Sequence, residues 1–153
     1  MKPLIVLLIS FTIALLVTKF SIDHFDVPLS GRIAMAMMLA FTSIGHFAFS
    51  KGMEMMMPPS VPYKKAMVFL TGIIEICAAI GLLIAKIRTL TGWLLILFFI
   101  LLLPANIYAA IKHVDYQKGT LEGQGVNYLW FRIPLQIFFI LWVYFFAIRY
   151  PYT

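Results

Sequence analysis

Apolar residues run through this chain in long blocks, and most polar ones are confined to the gaps between them. Five predominantly apolar windows stand out, at residues 3–17, 33–50, 66–85, 89–111 and 133–148. Roughly 20 such residues cross a bilayer core as a helix, so each window predicts a transmembrane span. With their flanks the expected spans are residues 3–20, 31–50, 64–86, 89–112 and 131–149, within a single integral membrane domain covering residues 1–153. The charged connections are residues 19–32, 51–65, 86–88 and 112–132. The third of these is tight, which predicts an antiparallel hairpin of spans three and four. The fold class is therefore an all-α membrane bundle.

The first window has an alternative. Lys2 followed by an apolar run resembles a secretory signal, but the run ends in Thr18-Lys19-Phe20 without a small-x-small cleavage pattern. A retained helix fits better.

Composition agrees with the pattern. The chain is 63% hydrophobic and 12% charged, where soluble domains average about 45–50% and about 25%. A soluble fold this short would leave much of that apolar surface in water. One cysteine, Cys77, excludes an intrachain disulfide scaffold and dithiol exchange. The net charge of +6 needs no nucleic acid, because basic residues flanking helices beside anionic lipid account for it.

Lys2, Lys51, Lys64, Lys65, Lys112, Lys118 and Arg132 fall on one face, side A; Lys19, Arg32, Lys86, Arg88 and Arg149 fall on the other, side B. That bias leans towards side A being cytoplasmic. The expected location is a multi-pass position in the bacterial cytoplasmic membrane. Tyr63, Tyr116, Tyr128 and Trp130 are expected in an interfacial aromatic belt on side A, with Trp93, Tyr150 and Tyr152 on side B.

Within the five windows a single residue carries a formal charge, Glu75. It sits about ten residues, roughly 15 Å at the helical rise, from the Lys64-Lys65 end of its span. A charge there is costly, so it must be protonated, paired or facing a wet cavity. Thr71, Gly72, Ala78 and Ala79 share its face, and this small surface permits close approach of a helix or a ligand.

Counting from the same side places His46 just inside the Lys51 end of span two, with Thr42, Gly45 and Phe49 beside it. Asn106 lies near the side A end of span four. Pro104 cannot donate to the Ile100 carbonyl, leaving an acceptor at that depth. Arg132 and Gln136 open span five at i, i+4 and share a face. Because spans alternate in direction, His46, Glu75, Asn106, Arg132 and Gln136 all fall in the side A half and predict one pocket. The plainer alternative is that Asn, Gln and His act as interhelical glue, worth about 0.6–2 kcal/mol each, and that Arg132 snorkels. Glu75 is the residue that this alternative explains least, since ionisable groups inside a membrane are functional by default.

The segment from Lys51 to Tyr63 follows His46. Pro58, Pro59 and Pro62 forbid a continuing helix, so an extended cap on side A is expected. Met53, Met55, Met56 and Met57 could suggest Cu(I), but Met is commonly an adaptable packing residue and no fixed ligand spacing is present. No metal site and no tightly bound cofactor are expected. His24, beside Asp23 and Asp26, reads as solvated; His113 lies within possible reach of His46, and a bis-histidine haem rests on that pair alone.

From Gly31 onward the chain resembles the DoxX and DoxX-like membrane proteins. The segments that carry the likeness are Gly-His-Phe at 45–47, Met-Met-Pro-Pro at 56–59, Thr-Gly-Ile-Ile-Glu-Ile at 71–76, Gly-Leu-Leu at 81–83, Pro-Ala-Asn-Ile-Tyr at 104–108 and Arg-Ile-Pro-Leu-Gln at 132–136. The resemblance implies a four-helix bundle, to which span one is an addition. It also implies either of two roles: a membrane subunit of a quinone-linked oxidoreductase, or a factor that assists assembly of membrane partners.

Two functional classes follow. In the first, a pocket opening to side A binds a quinone or similar lipophilic molecule. Glu75 and His46 are the catalytic candidates there, moving a proton, while Asn106, Arg132, Gln136, Thr71 and Tyr108 are the ligand-binding candidates. In the second, a non-enzymatic assembly factor uses the same polar groups to hold helices, or its small Gly72/Ala79 face to engage a partner protein or a second copy. A transporter is disfavoured, because no internal repeat is visible.

Overall fold

The computed structural model describes residues 2–150 as a helical bundle without strands among them. Its elements are α1 (Lys2–Ile22), α2 (Val27–Ala48), the short α3 (Ser50–Met55), α4 (Lys64–Leu83), α5 (Arg88–Ile111) and α6 (Leu129–Val143). A 3₁₀ turn at Gly125–Tyr128 leads into α6, and a π-helical segment at Tyr144–Arg149 continues it. Five of these stretches are long and apolar enough to cross a membrane, the last counted from Gly125 to Arg149. The protein is a multi-pass, all-α membrane bundle. Ile84–Ile87 closes the tight hairpin between α4 and α5, as the short charged gap predicts.

α2 is the central element. Ala34, Met35, Met38 and Leu39 are buried along it, with α1 on one side and α4 on the other. Asp26 starts it: its side-chain oxygen accepts from the Leu29 N–H at 2.8 Å, and Pro28 occupies the first turn. Small residues let the other helices close in. A Cβ on Gly72 would lie 2.9 Å from the His46 Cβ, and one on Gly92 would lie 3.2 Å from the Ala147 Cβ. Towards side B the core is aromatic. Phe11 of α1 meets Trp142 of α6 edge-on at 5.0 Å, Trp142 meets Phe146 at 4.9 Å, and the indole N–H donates to the Gly31 carbonyl at 2.9 Å.

Two expectations need correction. The segment after His46 is not wholly extended, because Ser50–Met55 forms α3 before the prolines begin. Its Lys, Met and Glu are good helix formers, and the first proline stands only at 58. α3 lies directly on the α5–α6 connection, where a Cβ at Gly52 would collide with the Tyr116 carbonyl.

The second correction concerns side B. Arg32 and Arg88 are not interfacial flanks; they are 1% and 7% exposed. The Asp26 cap starts α2 earlier than the apolar window does, which carries Arg32 more than a turn inside. Its guanidinium donates to the carbonyls of Phe146 and Tyr150 at 3.3 and 3.2 Å. Those carbonyls belong to the end of the last helix, where the regular ladder runs out.

Of the expected aromatic belt, Tyr63 and Trp130 on side A and Trp93 and Tyr150 on side B are exposed. Tyr152 lies outside the described residues.

Candidate functional site

α4 presents Glu75 at mid-height. Val68, Thr71, Gly72, Glu75, Ala78 and Ala79 recur three and four apart, and all are buried, so the carboxylate faces the bundle interior. At the facing end of α2, His46 Nε2 stands 3.4 Å from Glu75 Oε1. The other imidazole nitrogen, Nδ1, is 3.0 Å from the Thr71 hydroxyl. That hydroxyl also lies 2.8 Å from the Val68 carbonyl, one turn back.

These contacts fix the direction of the chain. A hydroxyl has one proton, and a carbonyl can only accept. Thr71 therefore makes both bonds by donating to Val68 and accepting from His46 Nδ1–H. Nε2 is left facing Glu75 Oε1, and that contact needs a single proton between the two groups. A carboxyl donating to neutral imidazole and an imidazolium donating to carboxylate are its two forms. The second carboxylate oxygen, Oε2, is buried and has no hydrogen-bond partner among the described residues. Such a group is expensive unless something else satisfies it.

What Glu75 faces is a cavity of about 320 Å³, within the size range of small-molecule sites, roughly 300–1,000 Å³. His46, Glu75, Asn106, Arg132 and Gln136 all line it, so the five residues expected to meet do so. Asn106 Nδ2 donates to Gln136 Oε1 at 3.5 Å, and the Gln136 amide donates to the Phe99 carbonyl. Gln136 therefore finds the carbonyl one residue before Ile100, whose own partner Pro104 removes. Arg132 lies over the Tyr128 ring, 5.6 Å from its centroid. The remaining wall is largely apolar, with Met38, Leu39, Phe99, Leu135 and Phe139 among its members.

Other expectations fare differently. Thr71 lines the cavity but also orients His46, a role its sequence position did not reveal. Tyr108 is not on the wall: two residues beyond Asn106 it points about 200° around α5. His113 is not on the cavity wall with His46; it sits in the left-handed region at φ 54°, its ring against Gly125 and 3.4 Å from the Gly123 carbonyl. Met53, Met56 and Met57 line the cavity. Tyr116 and Tyr128 turn into the cavity instead of joining the belt. The small Gly72/Ala79 face is not open to a partner; both residues are buried, Gly72 against His46 and Phe47 of α2.

Lys2 and Pro3 also line the cavity, bringing the start of α1 to its side A end. Nothing in the local sequence marks them, since their place depends on how α1 leans on α2.

Residues 35–147 match a family model described as Domain of unknown function (DUF8561). The chain belongs to this family. The match takes in every polar residue of the cavity except Lys2. No curated protein and no solved structure matches the chain.

Proposed function

We propose that the protein binds a small lipophilic molecule of quinone type in the side A half of the membrane and exchanges a proton with it at Glu75. The observation that carries this reading is Glu75 on the wall of a largely apolar cavity, with Oε1 coupled to His46 and a buried Oε2 that has no partner among the described residues. A quinol hydroxyl placed there donates to Oε2, while a quinone carbonyl accepts from the second N–H of Asn106 or from Arg132. Thr71 holds His46 in the tautomer that lets Nε2 take up or return the proton at Oε1. The likeness to DoxX proteins supports a place as a membrane subunit of an oxidoreductase in the bacterial cytoplasmic membrane, with side A towards the cytoplasm.

The test is Glu75→Gln in purified protein, assayed for quinone binding and for proton uptake on binding. Loss of proton uptake together with weakened binding is expected, and no change in either overturns the proposal.

The assembly-factor reading is favoured by one observation, that Thr71–His46 joins α4 to α2 and Asn106–Gln136 joins α5 to α6. It leaves Oε2 and the open volume unexplained. Copurification of a stoichiometric membrane partner would support it.

A further inference from the structure

The cavity is polar at two levels, and the quinone reading takes from the upper one only an alternative donor, Arg132. At its floor stand Glu75, His46 and the Asn106–Gln136 pair. At its side A end stand two cations from separate helices, Lys2 in the first turn of α1 and Arg132 in the first turn of α6. Neither forms an ion pair among the described residues. The one acid on the wall, Glu75, faces His46 instead.

α1 and α6 both contribute to the side A end of the wall. α1 is packed along α2, and its ring contacts with the last helix are those of Phe11 with Trp142 and Phe146, lower in the bundle. Above them Pro3 on one side and Leu135 and Phe139 on the other border the open volume. A single chain entering there would lie among Met, Leu and Phe side chains with its head at the level of the two cations.

We infer that the cavity also admits an anionic amphiphile, a carboxylate or phosphate on a single acyl chain. Lys2 and Arg132 hold the anionic group, and the chain extends towards Glu75. The guanidinium offers a planar pair of donors to the anion, and the lysine adds a mobile point charge. This inference rests on the reading of the cavity as a ligand site, but not on proton exchange at Glu75.

The experiment measures binding of radiolabelled dodecanoate to the purified full chain in phosphatidylcholine nanodiscs, beside uncharged methyl dodecanoate. Saturable binding of the acid is expected, with the ester about tenfold weaker. Lys2→Gln combined with Arg132→Gln removes that preference, while Lys2→Arg combined with Arg132→Lys keeps it. Quinone binding and proton uptake are measured on the same wild-type protein, so acid binding without them sinks the quinone reading alone, and the reverse result sinks this one alone. Ala105→Trp, which adds a bulky ring to the cavity wall, abolishes binding while helicity is retained. Adding lysophosphatidylglycerol separates the sources: competition points to a single-chain lipid headgroup, and its absence points to a free single-chain acid. Equal binding of acid and ester, acid binding unmoved in the double glutamine variant, or acid binding by folded Ala105→Trp protein overturns the inference.

Discussion

His46 Nδ1 lies 3.0 Å from the Thr71 hydroxyl, and that single contact decides which imidazole nitrogen faces Glu75. Thr71→Val removes the hydroxyl without changing the shape. His46, whose side chain is 13% exposed, then loses the partner of Nδ1, at a cost of up to about 1–3 kcal/mol. The expected outcome is a lower unfolding temperature and a shift of neutral His46 towards the Nε2–H tautomer, read by ¹⁵N NMR of the labelled imidazole. Thr71→Ser should retain the wild-type tautomer. An unchanged tautomer in Thr71→Val would mean that something other than the hydroxyl orients the ring.

Two glycines near the site predict opposite responses to the same methyl group. At Gly72 an added Cβ would lie 2.9 Å from the His46 Cβ and 3.3 Å from the Phe47 ring, on packed helices that cannot easily part. Overpacking of this kind costs about 1–3 kcal/mol. At Gly45 the nearest neighbour is the flexible Met53 methyl at 3.5 Å, an ordinary contact. There the helix gains up to about 1 kcal/mol from the better propensity of alanine. Thermal unfolding in detergent should therefore show Gly72→Ala falling and Gly45→Ala level or rising. Equal behaviour would argue against the α2–α4 approach described here.

Asn106 and Gln136 share one hydrogen bond, and Gln136 also satisfies the Phe99 carbonyl. Replacing either by leucine strands the other, so the two effects should not add. In a double-mutant cycle the pair Asn106→Leu and Gln136→Leu is expected to show a coupling of about 0.6–2 kcal/mol, the range of interhelical hydrogen bonds in membranes. A coupling near zero would place the two side chains apart and remove the floor of the cavity.

How much of this was legible beforehand varies with the distance over which the cause acts. The spans follow from runs of apolar residues, a local property, and four of the five helices contribute their polar groups to the side A half because consecutive spans must alternate. That is why His46, Glu75, Asn106, Arg132 and Gln136 meet as the pattern predicts. Tyr108 fails on angular grounds alone: sharing a short motif with Asn106 does not put it on the same face. α3 was hidden because prolines at 58, 59 and 62 drew attention away from the proline-free run before them. Lys2 and Arg32 were beyond reach. What each side chain meets is set by helices distant in sequence, the acceptors of Arg32 lying at Phe146 and Tyr150.

Arg32 supplies the last prediction. At 1% exposure its guanidinium ties the middle of α2's side B half to the carbonyls that end the C-terminal π-helical segment. Arg32→Met preserves much of the aliphatic stem and removes the donors, so the packing change is small and the polar loss is isolated. Each stranded carbonyl costs about 1–3 kcal/mol when water cannot reach it. Tyr150 is half exposed, so water can satisfy its carbonyl by local fraying, and the damage should stay there. The expected result is faster trimming of the C-terminal residues by carboxypeptidase and a lower unfolding temperature, while ligand binding at the side A cavity changes less than about twofold. Loss of binding in step with the trimming would instead show that the two halves of the bundle are coupled through α2.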